Sequence, residues 1–214
     1  MKNIILILLL ISGNNCFSQD QSKIFEPDKF VWCGLDFSLV KFIGAEGFSD
    51  PTAIKNHYFS TWNQLVIDES YKYDFTRAYQ KEIQINDFSV VNRRNQLPKV
   101  DNLIINTDYS IEESQIKAVI LDYQLEGHSE GLGLVYIYET LNKTKKRAVI
   151  HRVFFDIATK ETLWQQKLEV RVSGFGFRNY WVSSVLEALR QDSFNYGKKQ
   201  MEYKKQQRKN KKNR

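Results

Sequence analysis

The chain has 214 residues, 42% hydrophobic and 14% aromatic, with 31 basic against 25 acidic residues and a net charge of +6. This aromatic content excludes an intrinsically disordered chain, and the length suits one domain with a single core. The charge is unevenly placed: residues 198–214 hold nine basic residues against Glu202 alone, and without them and Lys2 there remain 21 basic and 24 acidic residues. The basic balance thus belongs to the C-terminal end, and the body is slightly acidic.

The first residues read as an export signal. Met1-Lys2-Asn3 precede an uninterrupted apolar run from Ile4 to Ile11, one positive charge and then a short hydrophobic stretch. Eight apolar residues fall well short of the ~20 needed to span a bilayer as a helix, so a cleaved leader is expected rather than an anchor. Ser18, a small residue, marks the expected processing point, leaving Gln19 at the new terminus and residues 1–18 as the signal peptide. Cys16 invites a second reading as a lipid-modified cysteine, but Asn14 and Asn15 stand where that processing requires a small residue. Once the leader is removed only Cys33 remains, so no intramolecular disulfide can form and stability must come from the core.

The expected domain covers residues 19–197. Phe30 to Phe37 (FVWCGLDF) is almost wholly apolar, the pattern of a central strand covered on both faces. Asp50-Pro51 offers an N-cap followed by proline at the first helical position. Ile54, Tyr58, Trp62, Leu65 and Val66 then repeat at helical spacing. A second strand is expected over Ile83 to Val91. Ser110 with Glu113 has capping-box spacing ahead of a helix carrying Ile116, Val119, Ile120 and Tyr123. Strands follow over Leu132–Leu141, Ala148–Ile157 and Glu161–Ser173, the last with Glu161, Gln165, Lys167, Glu169 and Arg171 on a wet face. Asn179 is the expected cap of a final helix with Trp181, Val185 and Leu189 as its stripe, and Gly197 its expected stop. The like-charged run from Lys198 to Arg214 lacks apolar periodicity and is expected to be a disordered basic tail.

The order β-α-β-α-β-β-β-α predicts an α/β fold: a mixed sheet of about five strands with helices packed on it, ending in an antiparallel three-strand meander. The opening strand VWCGLDFS (Val31 to Ser38) and the hairpin VFFDIATKETLW (Val153 to Trp164) resemble the periplasmic α/β domains of the curli-secretion lipoprotein and of the amino-terminal region of the Tol-system propeller protein. The whole chain is also similar to small exported proteins of Gram-negative bacteria. The resemblance implies a periplasmic domain that serves as a non-enzymatic part of an envelope assembly.

The chemistry-bearing residues are sparse. His57, His128 and His151 are the available bases. His151 shares a strand face with Val149, Val153, Phe155 and Ile157, as a satisfied half-buried histidine would. No two histidines have metal-ligand spacing and Cys33 stands alone, so neither a metal site nor a cofactor is expected. Asp36 and Asp156 each follow apolar strand residues, either as a carboxylate pair near a sheet edge or as separate strand-end caps. The segment Gly174 to Asn179, two glycines ahead of a helix with Arg178 beside them, suits an anion nest or, more simply, a structural turn.

In an extended backbone Phe175 and Phe177 point to one side. Together with Arg178, Asn179 and Trp181 they form the candidate interface. Lys204, Lys205, Arg208, Lys209, Lys211 and Lys212 are the candidate contacts to an anion. Three functions therefore stand open: a binding or scaffolding module with an envelope protein partner, a tail-driven binder of anionic polymer or lipid surface, and an unrecognised hydrolase. No specific nucleic-acid recognition is expected.

Overall fold

The computed structural model describes residues 21–212. The expected leader, its processing point at Ser18 and Cys16 lie outside the described residues. The elements run α1 (Ser22–Phe25), β1 (Lys29–Asp36), β2 (Lys41–Ile43) and α2 (Pro51–Ala53), which passes through a π-helical stretch (Ile54–Tyr58) into α3 (Phe59–Asp68). Then come α4 (Phe75–Tyr79), β3 (Glu82–Asn86), α5 (Ser89–Arg94), a 3-10 turn (Val100–Asn102) and β4 (Ile104–Ile105). The chain continues with α6 (Glu113–Leu121), β5 (Leu132–Asn142), β6 (Arg147–Asp156), β7 (Thr162–Arg171) and α7 (Phe177–Lys212).

β5 is the central strand. On one edge it pairs in parallel with β1, Val31–Asp36 against Gly133–Ile137, and further along with β2, Lys41–Ile43 against Thr140–Asn142. β1 and β2 are therefore two stretches of one lane. β3 and β4 form the next lane, parallel to β1 and β2 respectively. On its other edge β5 pairs antiparallel with β6, which pairs antiparallel with β7. The sheet has seven strands rather than about five, because two of its five lanes are each broken by an intervening segment.

Two asparagine side chains explain the break. Where the outer lane is missing, Asn63 accepts from Leu35 N–H (2.7 Å) and donates to Leu35 O (3.0 Å). Asn95 likewise accepts from Phe37 N–H (2.6 Å) and donates to Leu35 O (3.0 Å). These amides replace a strand ladder, so the buried backbone of β1 is not left unsatisfied. Gly34, at φ +94°, makes room for the first of them: a Cβ there would stand 2.6 Å from Asn63 Oδ1.

Alternating strand residues divide the core in two. Phe30, Trp32, Leu134, Tyr136, Tyr138 and Phe154 face α3, α4 and α7, while Val31, Cys33, Val135, Ile137, Val153 and Phe155 face α6. Asp50 caps the helix that begins at Pro51, accepting from Ala53 N–H, as expected. The strand expected over Ile83 to Val91 stops at Asn86, because Asp87 accepts from both the N–H and the hydroxyl of Ser89 and turns the chain into α5. The capping box sits two residues later than expected, between Glu112 and Gln115.

The largest difference is at the C-terminus. α7 begins at Phe177, before Asn179, and runs through Gly197 to Lys212, where a stop and a disordered tail were expected. Tyr196 and Tyr203, two helical turns apart, both pack on Phe25 with ring centroids 5.3 and 5.4 Å away, and Tyr203 donates to Glu26 Oε1 at 2.5 Å. Docking on α1 thus supplies the burial that the local sequence lacks. At 36 residues, the helix is about 54 Å long. Among the described residues no helix is long and apolar enough to cross a membrane.

Candidate binding surface

β7 ends with Val172 N–H bonded to Lys146 O, and the chain must then reverse into α7. Gly174 (φ +134°) and Gly176 (φ +77°) make that reversal, a backbone path that side-chain-bearing residues resist. Phe175, held between them, is 95% exposed. Phe177 instead lies against Tyr58, Trp62 and Trp181, with ring centroids 4.7, 5.9 and 6.4 Å away. The pair therefore points to two sides rather than one, because two positive φ values destroy the extended geometry on which the alternation depends.

The other expected interface residues also divide. Trp181 is buried and stacks on Phe48 at 5.1 Å, so it belongs to the core and not to the surface. Arg178 and Asn179 are exposed, and Arg178 Nε donates to Asn179 Oδ1 (3.2 Å) rather than closing over the glycine turn. Trp62 Nε1 donates to Arg178 O at 3.0 Å and ties the start of α7 to α3. Beside the turn is an open cleft of about 290 Å3 lined by Gly47, Lys143, Phe177, Tyr180 and Trp181, in which Lys143 Nζ sits 3.4 Å from the Tyr180 ring centroid. The surface is thus a single projecting aromatic on a rigid aromatic base, flanked by cations. Lys204, Lys205, Arg208, Lys209, Lys211 and Lys212 are all exposed, but on a helix.

The paired-carboxylate reading of Asp36 and Asp156 is overturned. Asp36 aligns with Ile137 and Asp156 with Leu132, about 16 Å apart along β5. Asp36 is fully buried and accepts from Arg94 Nε and Tyr123 Oη, both at 2.8 Å, while Asp156 pairs with Lys23 at 2.9 Å. His57 is exposed and His128 half-buried. Burial of Cys33 pushes its thiol far up from its ordinary value, the opposite of an activated nucleophile. Among the described residues no three metal-ligating side chains converge.

His151 has partners that the sequence did not disclose. Glu139 is the extra residue at a bulge in β5, where the register skips from Tyr138 to Thr140. The bulge turns its carboxylate toward His151 Nε2 (2.8 Å), Lys167 Nζ (2.7 Å) and Ile111 N–H (2.9 Å). Gln165 Nε2 stands 3.3 Å from His151 Nδ1. Burial opposes ionisation of Glu139, but the bonds from His151, Ile111 and Lys167 together outweigh it and hold its carboxyl at about 2. The visible signal was the single charged residue in the strand LGLVYIYETLN.

A carboxyl lowered on folding adds stability above its unfolded pKa and loses it as pH falls toward the folded one. Between about pH 5 and pH 2 the protein should lose roughly 2–3 kcal/mol through this group. Denaturant melts of wild type and Glu139→Gln should therefore differ at pH 7 and converge by pH 2. A gap that stays constant with pH would remove Glu139 from the acid response.

No protein-family model matches this chain, and comparison with curated proteins gives no match.

Proposed function

We propose that the protein is a non-enzymatic binding or scaffolding module of the bacterial cell envelope, exported by its N-terminal leader, and that Phe175 anchors its protein partner. The observation that carries this reading is the 95% exposure of Phe175 on a turn fixed by two positive-φ glycines. A large aromatic left in solvent gains by being covered, and aromatic side chains including Phe are enriched in the cores of interfaces. Its base cannot follow it: Phe177 and Trp181 are locked into the aromatic packing around Trp62. The sequence resemblance to envelope-assembly domains points the same way.

The hydrolase reading has less support. A general base needs one ring nitrogen for its orienting acid and the other for the nucleophile. In His151 the first faces Glu139 and the second faces Gln165.

Phe175→Ala should leave the melting temperature unchanged within the ~0.5 kcal/mol typical of surface positions. The same variant should abolish recovery of a single stoichiometric protein from native envelope fractions. Recovery equal to wild type would reject Phe175 as the anchor.

A further inference from the structure

The docked face of α7 is defined by Asp192, Tyr196 and Tyr203, all buried, with Gln207 bonded to the Tyr203 hydroxyl at 3.0 Å. At about 100° per residue, the opposite side of the helix carries Phe194, Lys198, Met201, Lys205, Arg208 and Lys212 in one stripe. Phe194 is 75% exposed and Met201 58%. They are two helical turns apart, with Lys198 between them and Lys205 and Arg208 just beyond. Among the described residues none of these four cations is ion-paired to an acid. The stripe is about 27 Å long from Phe194 to Lys212, and the contacts of Tyr203 fix which way it faces.

We propose that this outward stripe of α7 is a docking surface for an anionic lipid bilayer. Lysine and arginine near a negatively charged membrane each gain about 1 kcal/mol, falling off within a Debye length. Four cations on one line place that attraction along the helix. Charge alone would suit any polyanion, but two exposed apolar side chains among the cations suit a bilayer in particular. Phe194 and Met201 have no use against a hydrated polyelectrolyte, whereas at a membrane they enter the boundary between headgroups and acyl chains. The helix would lie in the interfacial plane with its tyrosine side still packed on the domain. This proposal is independent of Phe175, which lies in the turn ahead of the helix.

The test uses the full chain and vesicles of phosphatidylcholine, alone or with about one third phosphatidylglycerol, in a flotation assay. Wild type should bind the anionic vesicles more tightly than the neutral ones, and less so as salt rises. The apolar run at residues 4–11 contributes equally to every variant, so the readout is the difference from wild type on anionic vesicles. Lys198→Gln with Lys205→Gln should weaken binding about tenfold or more. Phe194→Ser with Met201→Ser should weaken it about fivefold or more and leave the residual binding more salt-sensitive. Both double variants should melt with wild type, because every substituted side chain is exposed. Binding insensitive to the charge changes overturns the proposal. So does an unaltered affinity of the Phe194/Met201 variant together with full competition by dextran sulfate, which would make the stripe a general polyanion contact.

Discussion

Asp192→Ala should cost about 3–5 kcal/mol, the range for removing one member of a buried charge pair. Asp192 projects from α7 into the core, fully buried, and accepts from Tyr79 Oη at 2.6 Å and Tyr136 Oη at 3.0 Å. Arg152, also fully buried, brings Nε to 3.4 Å from the same carboxylate and lays its guanidinium 3.6 Å from the Trp164 ring centroid. Without Asp192 the arginine retains its bond to Gln166 and its aromatic stack but no counter-charge. A melting point lower by on the order of 10 °C is expected for a domain of this size. The control is Arg152→Met with Asp192→Leu, which removes both charges and should recover most of the loss. A double variant as unstable as the single one would mean that packing, not the uncompensated charge, sets the cost.

Trp181→Ala should be nearly as damaging, at about 3–5 kcal/mol for a large aromatic deleted from a core. Its ring is 2% exposed, stacked on Phe48 and edge-on to Tyr180 at 5.0 Å. The contrast with Phe175, six residues earlier, is informative: one position should be thermally silent and the other severe. Chemical denaturation of the two single variants, side by side, measures it. A Trp181→Ala protein within about 1 kcal/mol of wild type would place the anchoring of the α7 start in the Trp62–Arg178 bond instead.

What could be read directly from the chain was whatever depends on neighbours in sequence. The apolar run at Phe30–Phe37, the Asp50-Pro51 cap and the strand-turn-strand pattern through residues 132–173 each announce an element by local pattern, and each element is present. One difference is local, and the rest arise where distant residues decide. Val90 and Val91 have strand propensity, yet the Asp87–Ser89 turn sends them into α5. The basic C-terminus has no helical stripe long enough to notice, since its aromatic contacts to the body are widely spaced and the partner shared by Tyr196 and Tyr203, Phe25, is more than 170 residues away. The buried networks are similarly non-local: Asp36 meets Arg94 and Tyr123 across 58 and 87 residues, and Asp192 meets Tyr79 across 113. At the proposed surface, composition located the turn but could not tell Phe175 from Phe177. Backbone torsion, not side-chain chemistry, separates them.

The pairing of the central lanes also has a consequence in time. β1 closes its ladder on β5 and β2 closes on the far end of the same strand, so the most apolar stretch of the N-terminal half waits about a hundred residues for its partner. The β5–β6–β7 hairpins, by contrast, need only adjacent chain. Loop closure over long separations is slow, and unpaired apolar strands are prone to aggregate meanwhile. Synthesis from the N-terminus therefore delivers β3 and the helices that pack on FVWCGLDF first, and leaves its β5 edge open until later. The first strand completes its pairing only when β5 arrives, and the last three elements of the domain are still to follow.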